Sequence, residues 1–459
     1  MNLSNILKII IISYLCVSNS YADIYAYFQK IKHDPNALYA FFKNMPKGGE
    51  LHYHFSGGIY AEDLLAVRDN YCINNGLAQK NQKSCHGTML NDVSLNNNLY
   101  NSMIRAWSVK DFYPTTVTPT LHDQFFSVFH KFDLIAKEHT PELLATIIRR
   151  AAEQNELYLE IMAISSLYDF KIKFNTLNFV DLEQMRKSLL GLTAFKKNLQ
   201  LHLQQTNNLM HSTRQILNCD HSNAEPACNV TIKLQYYVLR EQSLESIFTQ
   251  ALTGFLIVQQ TNNVVGINFV QAEDGYIALR DYNKHMQIIS YLHSIYPNVH
   301  IALHAGELNA QDVTPENLRF HIKTAINVAG AERIGHGVAI AYENDVETTL
   351  KTMAMQHIPV EINLISNALI LNVFGNQHPL LYYIKHNVPV VFSSDDEGVL
   401  RTDLTSQYVA AVLQHHLSYD IIKQINRNTL IYSFLSSKEK LLLQKQLDKK
   451  LLIFESQFL

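Results

Sequence analysis

The chain carries little that would direct it to nucleic acid or to a bilayer. Its 459 residues hold 38 Lys+Arg against 41 Asp+Glu, a formal net charge of −3, with no basic block or stripe. Phosphate backbones require such a face, so no polymeric nucleic acid is expected as a partner. Beyond the N-terminus there is no uninterrupted apolar run of about eighteen residues, the length that spans a membrane, and no membrane partner is expected for the mature chain. Cysteine is scarce, five residues in all, and no C-x₂-C spacing occurs, which argues against a cysteine zinc site. No low-complexity linker and no repeat divides the chain. What remains is ordinary globular composition, 47% hydrophobic and 17% charged, enough for one large core.

The N-terminus has the order of an export signal. Lys8 precedes the apolar run Ile9 to Val17, and Ser20-Tyr21-Ala22 supplies a small-x-small site before Asp23. The run is too short to cross a bilayer. The expectation is a signal peptide over residues 1–22 and a secreted or periplasmic mature chain from 23 to 459; a membrane anchor is the competing reading. Lipoprotein attachment at Cys16 is disfavoured by the bulky Tyr14 and Leu15. Four cysteines stay in the mature chain, as two local pairs in polar, turn-rich stretches: Cys72 with Cys85 and Cys219 with Cys228. Export makes two local disulfides the natural reading. Three connectivities are formally open, and four free thiols are the alternative.

After Lys47, eight short apolar or β-branched runs stand out: Glu50–Phe55, Leu157–Met162, Leu234–Leu239, Val264–Val270, His300–His304, Arg333–Gly337, Pro359–Leu364 and Val388–Ser393. Helical periodicity fills most intervals, as in Thr140–Gln154, where Leu143, Leu144, Ile147, Ile148 and Ala151 share a face. Strand and helix in alternation predict a parallel sheet with crossover helices. Eight units predict closure into a (β/α)₈ barrel, α/β in class and single in domain. The long interval after the first run reads as an insertion over the barrel mouth, at about residues 60–125, with Trp107 packed inside it. Helices follow Asp396 to the end, closing with Lys438–Phe454 capped by Ser436 or Ser437.

Ionisable residues gather at the ends of four of these runs. His52 and His54, two apart on a strand, point to one face. Two imidazoles side by side suit a divalent metal, zinc above all among hydrolases; the bland alternative is two unrelated histidines in a chain with 21 of them. His304 ends an apolar run and needs a buried partner. Glu307 follows just past the strand, on the side where barrel enzymes hold their chemistry. His336 lies between Gly335 and Gly337, which allow close approach to backbone. Asp395 and Asp396 end an apolar strand, where adjacent carboxylates demand a cation or hydrogen bonds. Four strand ends converging on one rim point to a metal-assisted hydrolase.

Met45-Pro46-Lys47-Gly48-Gly49 leading into His52-x-His54, then His304-Ala305-Gly306-Glu307, Arg333-Ile334-Gly335-His336-Gly337 and Ser393-Ser394-Asp395-Asp396 resemble the adenosine/AMP deaminase family. The likeness is to its secreted branch, the adenosine deaminase-related growth factors. Leu364-Ile365-Ser366-Asn367 and His378-Pro379-Leu380 are weaker echoes. The resemblance implies one zinc per chain on His52, His54, His304 and Asp395, with Glu307 passing a proton to the purine ring nitrogen. It places His336 beside the metal-bound water, and has Asp396 orient that water or hydrogen-bond the base. The chemistry agrees: zinc brings the pKa of bound water to roughly 7, His336 takes a proton or orients the nucleophile, and a protonated Glu307 activates the ring.

Two departures bear on substrate. Ser56 stands where many members carry an Asp that contacts ribose, and Gln271 occupies the place of a Gly that meets the purine edge. No inward Lys offers a bridge for a second metal. The expected activity is hydrolytic deamination of adenosine or 2′-deoxyadenosine to the inosine product and ammonia. Adenine or another aminopurine, or an extracellular growth-factor-like binding protein on the same barrel, are the alternatives. Arg240 reads equally as a surface charge or as a support behind the site, and His415-His416 as a packed or solvated helical pair. The oligomeric state, a homodimer included, is left open.

Overall fold

The computed structural model describes residues 24–67, 70–80, 85–163 and 182–458. The expected signal peptide over 1–22, and part of the interval between Ala163 and Lys233, lie outside these residues.

Eight short strands rich in Val, Ile and Leu alternate with helices: β1 Glu50–His54, β2 Tyr158–Met162, β3 Thr231–Leu239, β4 Val264–Val270, β5 His300–Ala305, β6 Arg333–His336, β7 Val360–Ile362 and β8 Val390–Phe392. They pair in parallel in sequence order. The ring closes where Tyr53 bridges Asp395 just beyond β8, with the His54 N–H donating to the Asp395 carbonyl at 2.9 Å. This is a (β/α)₈ barrel. β3 starts earlier than its apolar run, because half-buried Thr231, Ile232 and Lys233 pair with Tyr158, Leu159 and Glu160. β7 and β8 are shorter than their runs: Asn363 caps a new helix, Leu364–Ile370, and Ser393 onward leaves the ladder for the barrel mouth.

Between β1 and β2 the chain builds a three-stranded antiparallel sheet from Tyr71–Asn74, Leu77–Lys80 and Thr88–Met89. The Cys72–Cys85 disulfide ties this sheet to its loop. Trp107, fully buried, donates to the Gly76 carbonyl at 2.7 Å and holds the sheet to the helix before it. The following helix, Leu121–Glu138, is started by a reciprocal cap between Thr120 and Asp123. It brings Phe125, Phe126 and Phe129 to the mouth of the barrel. The second disulfide, Cys219–Cys228, clips the turn between the helix Thr193–Ile216 and β3. The last long helix, Ser437–Glu455, is capped by Ser436 with Glu439. Among the described residues no helix is long and apolar enough to cross a membrane.

Candidate metal centre

β1 fixes the first two imidazoles. His52 and His54 alternate with the buried Tyr53, so both turn inward at the C-terminal end of the strand. β5 presents His304, β6 ends on His336, and the turn after β8 carries Asp395 and Asp396. Gly335 makes room for this crowding: a Cβ there would stand 2.7 Å from the His52 ring. Gly57 does the same for Asp396, whose carboxylate lies where a Cβ would be. His336 (φ 64°) and Asp395 (φ 69°) both take the left-handed conformation, a costly one for non-glycine residues that concentrates at functional sites.

The donor atoms meet closely. His54 Nε2 lies 3.1 Å from His304 Nε2 and 3.2 Å from Asp395 Oδ1, and His52 Nε2 lies 3.3 Å from the same oxygen. Two ligands of a tetrahedral zinc, each about 2.0–2.1 Å from the ion, are about 3.3 Å apart. The buried His52 Nε2 and Asp395 Oδ1 have no hydrogen-bond partner among the described residues. Unsatisfied buried atoms of this kind are costly unless something binds them, and an imidazole–carboxylate donor set with these separations fits a zinc ion. His336 belongs to the same knot, its Nε2 lying 3.8 Å from Asp395 Oδ2: donor atoms of His52, His304, His336 and Asp395 all lie within 4.8 Å of one another, while His54 groups in the same way with Asp395 and Asp396.

Behind these groups runs a buried chain of polar contacts. His52 Nδ1 donates to Glu361 at 2.7 Å, and Glu361 also accepts from Arg333 Nε at 2.6 Å. Arg333 pairs in turn with Glu160, which accepts from Gln235 at 2.8 Å. Gln235 accepts from Asn268 at 3.1 Å, and Asn268 Oδ1 faces His304 Nδ1 at 3.0 Å. Two imidazoles of the centre are thus joined through β7, β6, β2, β3 and β4. Carboxylate or amide oxygens on the outer nitrogens orient such rings toward a metal.

The carboxylates divide by environment. Burial, helped by the charges of Asp395 and Glu273, pushes Glu307 well above the usual carboxylate range. Burial and Asp395 do the same to Asp396. Burial works against ionisation at Asp395 too, but the neighbouring His336, His52 and His54 outweigh it and hold that carboxyl well below its ordinary value. Burial would lower His52, yet the facing carboxylates of Asp395 and Glu361 outweigh it and raise it to about 10. Pairs of acids driven apart in this way mark acid–base chemistry.

Glu307 itself is held from behind. Glu273 accepts the Gly306 and Glu307 N–H groups, each at 2.9 Å, and His321 at 2.6 Å. Arg240 Nη1 is 3.7 Å away. Arg240 is therefore a buried support for the site and not a surface charge. His415 is packed against His378, ring centres 5.8 Å apart, while His416 caps the end of its helix. Gln271, at φ 79°, keeps the backbone shape a glycine would favour, and its side chain accepts from the Glu241 N–H at 2.9 Å. A cavity of about 710 Å³ opens over the centre, and His54, Ser56, Glu307, Asp396, Phe125 and Phe129 are among the residues that line it.

Glu361, Asn268, Glu273, Asn367 and His378 were not singled out for a role by sequence reasoning. The available signal was a lone polar residue inside an apolar strand, at Glu361 and Asn268, which requires a partner in the core.

Comparison with known proteins agrees with this geometry. The family model described as adenosine deaminase matches residues 203–450, just over half of the chain. The adenosine deaminase of Escherichia coli is 34% identical over 152 residues, 33% of this chain; the match spans 42% of that relative's length. Three solved structures share the fold. An adenine deaminase from Arthrobacter aurescens has a TM-score of 0.57 at 17% identity, covering 88% of this chain and 98% of that one. The Arabidopsis protein ADAL in complex with IMP scores 0.58 at 18%, covering 90% and 99%. A cog1816 amidohydrolase from Burkholderia ambifaria with bound zinc scores 0.60 at 13%, covering 92% and 94%. Matched by the family model over the half of the sequence that holds His304, Glu307, His336 and Asp395, the chain belongs to the adenosine deaminase family.

Proposed function

We propose that the protein is a zinc-dependent hydrolase that deaminates an aminopurine, with adenosine or 2′-deoxyadenosine as substrate and the inosine product and ammonia released. The observation that carries this reading is the convergence of His52, His54, His304 and Asp395 beside a buried Glu307 at one end of the barrel. A zinc ion held by those four residues would supply hydroxide at neutral pH.

The remaining work falls to the chain. Glu307, kept protonated by burial and by the charges around it, gives its proton to the purine ring nitrogen beside the amino-bearing carbon. That proton makes the carbon open to attack, and a positioned acid of this kind contributes about 10²–10⁴-fold. His336 orients the attacking water. Asp396, also driven toward its protonated form, hydrogen-bonds the base, and Ser56 reaches the sugar. Phe125 and Phe129 offer the purine an apolar wall. The two disulfides support an oxidising compartment, and with it export of the mature chain.

Adenine and adenine nucleotides are the second reading, favoured by Ser56 in place of an acid and by a cavity of about 710 Å³. A panel of adenosine, 2′-deoxyadenosine, adenine and AMP, assayed with zinc-loaded protein, separates them. The nucleosides are expected to give the highest kcat/KM; a higher value for adenine or AMP would move the assignment to that substrate.

A further inference from the structure

The partner of each Nδ1 decides what the Nε2 of the same ring can do. A neutral imidazole has one N–H and one lone pair, so the nitrogen that faces an acceptor carries the proton and leaves the other bare. His52 Nδ1 faces the Glu361 carboxylate at 2.7 Å. His304 Nδ1 faces Asn268 Oδ1 at 3.0 Å. That Asn268 atom is fixed as an oxygen, since the Phe269 and His304 N–H groups donate to it at 2.9 and 3.1 Å. In each ring Nε2 is therefore the nitrogen turned toward the metal site, and a metal there would take the place of any proton on it.

His336 is arranged in the opposite sense, and its arrangement can be traced to a backbone group whose role is unambiguous. The Leu380 N–H donates to His378 Nδ1 at 3.1 Å. His378 Nδ1 is then bare and its Nε2 carries the proton, which it donates to Asn367 Oδ1 at 3.0 Å. The oxygen of that amide being assigned, its NH₂ group faces His336 Nδ1 at 2.9 Å and donates to it. Asn363 Nδ2 lies 3.4 Å from the same nitrogen, and Glu307 Oε1, at 3.6 Å, is outside hydrogen-bond distance. With Nδ1 accepting, the proton of His336 sits on Nε2. That atom has no partner among the described residues and points into the knot of metal ligands. His336, Asn367 and His378 are all buried, and burial lowers His378 to about 3, which keeps the relay neutral.

We infer that the Leu380 N–H, His378 and Asn367 form a hydrogen-bond relay that locks His336 in its Nε2–H tautomer. His336 is then a fixed donor to the attacking water and neither a metal ligand nor a proton acceptor. Asn367 and His378 are positioning residues that act through it. The inference deepens the proposed function but depends on it only for its kinetic arm.

The test is nitrogen NMR of the full mature chain labelled at the histidine rings, at pH 7.5, both metal-free and zinc-loaded. The His336 signals are assigned by their loss in His336→Asn. In the wild type, His336 is expected to show a protonated Nε2 and a bare Nδ1 in both states. A protonated Nδ1, a doubly protonated ring or a zinc-bound Nε2 would overturn the inference. Asn367→Asp replaces the donor by an acceptor. It is expected to move the proton to Nδ1 and to cut kcat by about 10–100-fold, with KM changed less than about twofold and zinc content unchanged. The same tautomer and kcat in that variant would refute the relay. If the variant does not fold, the wild-type spectrum still decides. An Nε2–H tautomer in a protein that turns over no aminopurine would uphold the relay and remove the proposed activity.

Discussion

Glu273→Gln separates support of the catalytic acid from the metal centre itself. Glu273 is almost fully buried, and its two oxygens accept from the Gly306 and Glu307 N–H groups and from His321. Burial would raise its pKa, but His321, Arg240 and the Gly306 N–H hold it at about 2, against an ordinary 4.5. That difference is worth about 3 kcal/mol in favour of the charged form. The amide introduced by the substitution carries no charge and must turn its NH₂ toward a group that is itself a donor. The expected loss of stability is about 2–4 kcal/mol at pH 7, read from urea unfolding of zinc-loaded protein. The sign with pH follows from a depressed acid: its contribution is complete above 4.5 and disappears as pH falls toward 2. The gap between wild type and variant therefore narrows in that window. Because the same carboxylate holds the Gly306–Glu307 turn, kcat should fall with it while zinc content stays at one per chain. Wild-type stability at pH 7 together with wild-type kcat would refute the reasoning.

Other outcomes follow from the same structure. Glu307→Gln should keep zinc and lose about 10²–10⁴-fold in kcat; full activity, read as the change in absorbance when adenosine is converted to inosine, would remove Glu307 from its role. His285 and His415 are buried and lowered to about 4, so the unfolded chain takes up their protons first as pH drops below 6.5. Stability should then fall by up to about 3 kcal/mol per pH unit between 6 and 4, and a flat unfolding midpoint over that range would contradict it. Replacing Cys72 and Cys85 by Ser opens a loop of sequence separation 13. It should destabilise the small sheet by about 3 kcal/mol, seen as a lower unfolding midpoint with zinc content unchanged.

Much of this architecture could be read before any coordinates. The strands follow apolar runs, and β4 matches its run end to end because both faces are buried. His52 and His54 were legible because two imidazoles two apart on a strand share a face, and His304, His336, Asp395 and Asp396 because each stands near the end of an apolar run or soon after it, where an ionisable group needs a reason. The start of β3 was hidden by half-buried Thr231 and Lys233, which lack the apolar signature although they pair in the sheet. The supports were hidden for a different reason. Glu361, Asn268 and Asn367 reach the histidines they orient across 31 to 309 positions of sequence, and no local pattern encodes those encounters. His378-Pro379-Leu380 stood out as a motif, but its role depends on which nitrogen faces the Leu380 N–H, and only a fold can show that.

The central claim is that His52, His54, His304 and Asp395 hold one zinc ion and that aminopurine deamination depends on it. It is tested by titrating metal-free protein with zinc while following the conversion of adenosine to inosine by absorbance. The account predicts no turnover before zinc, a rate that rises to a plateau at one equivalent per chain, and no response in His304→Ala. Folded protein carrying one zinc that leaves adenosine, 2′-deoxyadenosine and adenine unchanged would contradict it.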